Sequence, residues 1–271
     1  MTMQMLIDRS AFRARALWIA LGALFVVIVM WNVPFLSQFL YPFRLFVTYV
    51  HEAGHGLAAE ITGGDVVGFI VYGNGAGVAT TTGGFRWLIL PAGYIGTALF
   101  GAILFYVANM YARARHIAVA VALGLIAFSV AYARPDEAGN PTALLIGIGF
   151  GIVLLLAAWK LHELLVLLCL NVLAMLTGLN AVLDLKSVFE NSGASLGQVR
   201  NDAAAFSAEI IGLPASVWAL VWSVIAVALL ALSVYLSVYR PMRQATGRSE
   251  PASLDKPGRD ESIIDILKRG N

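Results

Sequence analysis

Long apolar runs separated by short polar clusters dominate this chain. They lie near residues 16–40, 43–61, 86–110, 116–133, 141–159, 161–184 and 213–239. Each is long enough to cross, or nearly cross, a hydrocarbon core of about 30 Å. Helix is the predicted state for all of them, because lipid cannot satisfy open backbone N–H and C=O groups. The breaks are Arg113 and Arg115, the run Arg134-Pro135-Asp136-Glu137, the cluster Lys160, His162 and Glu163, and a longer stretch from Asp184 to Ile211. No internal repeat is visible. The pattern predicts an all-α polytopic membrane protein, a bundle of about six to seven transmembrane helices within a membrane domain over residues 1–239.

Two regions depart from that pattern. Residues 63–84 are rich in glycine, with β-formers at Val66 to Tyr72 and Val78 to Thr82 around a Gly-Asn-Gly turn signal, so they predict a small β-hairpin insertion. Residues 240–271 carry seven Lys/Arg and five Asp/Glu with Pro and Gly, the composition of a mobile polar tail.

Composition agrees with the pattern. Of 271 residues, 59% are hydrophobic and 13% charged, with a mean hydropathy of +0.80. A water-soluble fold has too little interior for that much apolar surface, so the lipid bilayer is the main partner. A net charge of +2, without a basic groove interleaved with aromatics, argues against nucleic acid. The single cysteine, Cys169, sits in an apolar run and reads as a small buried hydrophobe. Arg9, Arg13 and Arg15 precede the first apolar run, which lacks a small-residue cleavage site and reads as an uncleaved span. Placing both these arginines and the basic tail inside requires an even number of crossings, so one of the seven segments is not a simple span. Either 43–61 enters without crossing, or 141–159 and 161–184 merge.

The chemistry lies in the second segment, at His51-Glu52-Ala53-Gly54-His55. Two histidines four residues apart project from one face of a helix and can ligate one metal ion. Glu52, beside them, can act as a general base without taking a coordination position. Ionisable groups in an apolar segment are costly and mark functional sites by default. Ala53, Gly54 and Gly56 would let another helix approach closely. His162 with Glu163 reads as an interfacial polar pair, and His116 as a headgroup-facing residue.

The run from Tyr49 to Ala59, followed by Thr62-Gly63-Gly64 and a glycine-rich β segment, resembles the site-2 protease family of intramembrane zinc metallopeptidases, especially its compact bacterial and plant relatives. The resemblance spans about Tyr49 to Gly101. It implies a zinc ion held by His51, His55 and an aspartate in a later membrane helix, commonly in a Leu-Asp-Gly setting, with Glu52 catalytic. The nearest match is Leu183-Asp184-Leu185, after Asn180, and it lacks the glycine. Asp184 is therefore the expected third ligand, with Asp202 and Asp136 as alternatives.

The family also implies hydrolysis of peptide bonds in membrane-protein or peptide substrates, and a membrane-associated sheet that holds the substrate extended. Here the hairpin is either that sheet or a plain connector. Two rivals remain: a catalytically inactive protease-like scaffold or chaperone, favoured by the missing glycine, and a transporter, disfavoured by the lack of repeated halves.

Overall fold

The computed structural model describes residues 18–29, 33, 35, 38–111, 113–179, 182 and 201–246. Helix α1 covers Trp18–Val29, and a 3-10 turn at Gln38–Leu40 leads into α2, Tyr41–Ile61. Strands β1, Asp65–Val71, and β2, Gly77–Thr82, follow. Then come α3, Arg86–Met110; α4, Ala114–Tyr132; α5, Thr142–Lys160; and α6, Glu163–Gly178. The short α7, Asp202–Glu209, precedes α8, Ala215–Val234, which continues through a π turn at Tyr235–Tyr239 into Arg240–Thr246. The chain is an all-α polytopic membrane protein with one small β-hairpin.

Fewer helices reach crossing length and apolarity than the expected six to seven. Among the described residues, four helices are long and apolar enough to cross a membrane: α3, α4, α5 and α8 with its extension to Gln244. Helices α1 and α6 are apolar but shorter. Helix α2 has 21 residues but carries Arg44, His51, Glu52, His55 and Glu60, which make it too polar to qualify. The alternative in which 141–159 and 161–184 merge does not occur, because the backbone is extended at Leu161 and His162, where His162 caps α6. The last helix runs past the expected boundary at residue 240. Residues 247–271 lie outside the described residues.

Helix α3 is the centre of the bundle, packed on α2, α6 and α8. Small residues bring the backbones together. A Cβ added at Gly101 of α3 would lie 2.5 Å from the Ala174 carbonyl oxygen and 2.5 Å from the Gly178 nitrogen of α6. A Cβ at Gly96 would lie 3.2 Å from the Cα of Gly54, so α2 and α3 also pack backbone to backbone. Polar groups between helices are paired, since no water is at hand to pair them. The Asn109 amide donates to Asn171 at 2.7 Å and accepts from it at 3.3 Å, joining α3 to α6. Tyr49 shares a 2.7 Å hydroxyl contact with Ser129, joining α2 to α4.

The hairpin forms as its composition predicts. The strands are antiparallel, with Phe69 opposite Ala79 and a bulge between Val66 and Gly68. The turn needs glycine at Gly75, whose φ is +94°. Tyr41 donates to the Gly73 carbonyl at 2.7 Å and Thr48 to the Gly75 carbonyl at 2.9 Å, which lays the hairpin against α2. The outer edge of β1 is bonded by the Arg134 N–H at Phe69, 2.9 Å.

The α3–α6 contact makes a direct prediction. Gly101→Ala should lower the thermal midpoint of the detergent-solubilised protein, since overpacking of this kind costs about 1–3 kcal/mol. Gly149→Ala, where an added Cβ meets nothing within 4 Å, should leave the midpoint unchanged.

Candidate metal centre

His51 and His55 stand one turn apart on α2, their ring centroids 4.9 Å apart and their planes at 79°. Their Nε2 atoms approach to 3.2 Å. The imidazole of His55 is oriented by a 2.6 Å hydrogen bond between Nδ1 and the Ile89 carbonyl of α3. A carbonyl can only accept, so Nδ1 carries a proton and Nε2 is the nitrogen that faces the candidate metal position. His51 is held differently: the ring of Tyr94 packs edge to face with it, centroids 4.7 Å apart and planes at 89°. The wall facing both rings is Gly93, where a Cβ would collide with Nε2 of His51 and of His55.

The third member is Asp202, the first residue of α7, preceded by the N-cap Asn201, which accepts from the Ala204 N–H at 2.7 Å. Its Oδ2 lies 2.8 Å from His51 Nε2 and 3.2 Å from His55 Nε2. Two imidazole nitrogens and one carboxylate oxygen thus form a triangle with edges of 2.8, 3.2 and 3.2 Å. Three ligands on a tetrahedral zinc, with bonds near 2.0–2.1 Å, would stand about 3.3 Å apart. The donor set fits such an ion in chemistry and in spacing. The side chains of His51 and Asp202 keep 14% and 22% of their exposure, which leaves one side of the triangle accessible.

The family described as Peptidase M50B-like matches residues 18–233. The chain belongs to that family. No curated protein and no solved structure matches it. It is a membrane-embedded member of a zinc-metallopeptidase-like family with a His/His/Asp cluster positioned for metal binding.

The remaining expected residues of this peptidase-like chain fall as follows. Glu52 is buried next to the histidines, and its carboxylate accepts a hydrogen bond from the Ala79 N–H of β2. A Cβ at Gly77 would lie 2.6 Å from Glu52 Oε1, so only a bare backbone fits over this carboxylate. Asp184 and Asn180 lie outside the described residues.

Asp136 does not join the cluster. It organises the turn after α4, accepting from the Asn140 side chain at 2.9 Å and from the N–H groups of Asn140 and Ala138 at 2.7 and 3.0 Å. The Asn140 side chain, with the backbone donors, holds its carboxyl below the ordinary aspartate range. Glu163 pairs with Arg115 at 3.5 Å. Gly93, Tyr94 and Ile89 carry no spacing signal that would have marked them in the sequence.

Gly93→Ala is the sharpest probe of the centre. The added methyl would occupy the space where the two Nε2 atoms converge, so metal affinity should fall by at least about tenfold. Metal analysis of the purified variant after dialysis against a chelator buffer checks this.

Proposed function

We propose that this chain is a zinc endopeptidase that hydrolyses peptide bonds of membrane-associated protein substrates, with His51, His55 and Asp202 as metal ligands and Glu52 as general base. One observation carries the reading: a carboxylate from a distant helix meets both imidazoles while Glu52 stands beside them. Zinc fits this donor set best, since two imidazoles and one carboxylate are a known catalytic combination that leaves a fourth position open. When bound, zinc would polarise the scissile carbonyl and make water a better nucleophile. Glu52 would take the proton of the attacking water and pass it to the nitrogen of the leaving amine, while His55, fixed through Ile89, and His51, packed on Tyr94, keep the ligand geometry. Asp202 takes the ligand role in this reading because its oxygen reaches the histidines.

The hairpin supports a substrate held extended. Its β2 strand lies over Glu52, so a peptide adding along the sheet would bring its backbone to the base. The scaffold reading rested on an incomplete site and loses its main support once Asp202 supplies the carboxylate.

Span count belongs to the same proposal. Arg115 contacts Leu161 and Glu163, while Tyr94 packs on Trp222 and Ala98 on Ala226, so α3 runs parallel to α8 and ends on the side of Arg115 and Lys160. That arrangement suits six full crossings with α2 as a partial helix.

Metal content and cleavage separate the roles. Glu52→Gln should reduce cleavage by about 10²–10⁴-fold while keeping the metal. His51→Ala and Asp202→Ala should lose the metal, and Asp184→Ala should keep it. Metal loss in Asp184→Ala, with retention in Asp202→Ala, would reverse the assignment of the third ligand.

A further inference from the structure

Asp202 stands 151 residues from His51 in the chain and is carried by a helix of only eight residues. Something must hold that helix to the site. Part of the hold is apolar: Ala203 and Phe206 are the buried residues of α7. Phe206 packs edge-on against Trp218 and Trp222 of α8, with centroids 4.6 and 5.7 Å apart. Leu90 and Tyr94 of α3 complete this cluster. These contacts hold α7 against α3 and α8.

Directional contacts add to this: Trp218 Nε1 of α8 donates to the Ile211 carbonyl just beyond α7 at 3.3 Å, and an ion pair joins α7 to α3. Arg86 Nε, at the first residue of α3, donates to Glu209 Oε2, at the last residue of α7, at 2.6 Å. The two helices run antiparallel here, so this ion pair is at one end of their contact and the ligand triangle is at the other. Seven residues separate Arg86 from Gly93, the wall of the triangle, and seven separate Asp202 from Glu209. Both intervals are therefore two helical turns, about 10 Å. A slip of one residue would move Asp202 by about 1.5 Å, far more than the roughly 0.2 Å a metal–ligand bond tolerates.

We propose that the Arg86–Glu209 ion pair is the register lock of the metal centre: it fixes α7 along α3 and so sets the position of the Asp202 carboxylate. Arg86 and Glu209 are positioning residues, not ligands. The inference rests on the reading of His51, His55 and Asp202 as a metal site.

The test is zinc affinity of the full-length protein in detergent, by competition with a chromophoric chelator. The variants are Arg86→Glu, Glu209→Arg and the double reversal. Each single reversal sets like charges together at this partly exposed pair and should weaken zinc binding by about threefold to fivefold, and the double reversal should return it to within about 1.5-fold of wild type. A helix-stabilising role alone would shift the melting of the metal-free protein without this pattern of loss and rescue in affinity. Should the reversals not fold, Arg86→Gln and Glu209→Gln take their place, each expected to weaken binding and the pair to be no worse than either alone. Wild-type affinity in the single variants, a double reversal as weak as the singles, or a glutamine pair whose losses add would overturn the proposal. A His51→Ala control separates the two levels. Zinc retained there refutes the metal site itself, whereas His51-dependent zinc that ignores Arg86 and Glu209 refutes only the lock.

Discussion

An imidazole or a carboxylate among lipid-facing helices costs several kcal/mol unless something compensates its lost hydration. In this protein the compensation is mutual. The Oδ2 of Asp202 lies within hydrogen-bonding range of Nε2 on both His51 and His55, and the remaining His55 nitrogen is bonded to Ile89. Because the three groups satisfy one another, α2, α3 and α7 are held at a common point. That constraint makes the sheet, the central helix and the aromatic cluster around Trp222 parts of one site.

Close backbone approach is what lets this happen. Lipid tails are as apolar as leucine, so helices in a bilayer gain little from burying large side chains against each other and rely on fit and on polar pairing. Gly54, Gly93, Gly96 and Gly101 lie where a Cβ would strike a neighbouring backbone or an imidazole. The Asn109–Asn171 and Tyr49–Ser129 pairs then fix which faces meet. Among the described residues, no fully buried side-chain nitrogen or oxygen is left without a partner.

The site divides its protection unevenly. Glu52 is covered by the bare backbone of β2 at Gly77 and Ala79, while the His/His/Asp triangle keeps an accessible side. In the proposed reaction Glu52 would be a shielded base beside reachable ligands, an arrangement that suits hydrolysis within a membrane-embedded site. The hairpin is held in place over Glu52 by the Tyr41 and Thr48 hydroxyls that bind its turn to α2.

Local pattern made much of this readable. The apolar runs anticipated α2 to α5 to within a few residues, and the β-formers around Gly-Asn-Gly anticipated both strands, because helix and strand preferences are written in neighbouring residues. The His51/His55 pair and Glu52 were legible for the same reason, since i, i+4 spacing places two side chains on one helix face whatever surrounds it. The number of crossing-length helices was less so: hydropathy windows count the apolar run holding α2 alongside the others, although its charges set it apart. The partner of the histidines was beyond local reading. Three aspartates could have served, and no spacing rule links residue 51 to residue 202; Asp202 reaches the histidines through α7 docking on α3 and α8. Gly93 and Ile89 are equally silent in the sequence, because their part is played by an absent side chain and a backbone carbonyl. Sequence alone determined which groups can bind a metal; tertiary packing decided which of them meet, because a metal site is defined by distances between atoms and chain separation does not encode those.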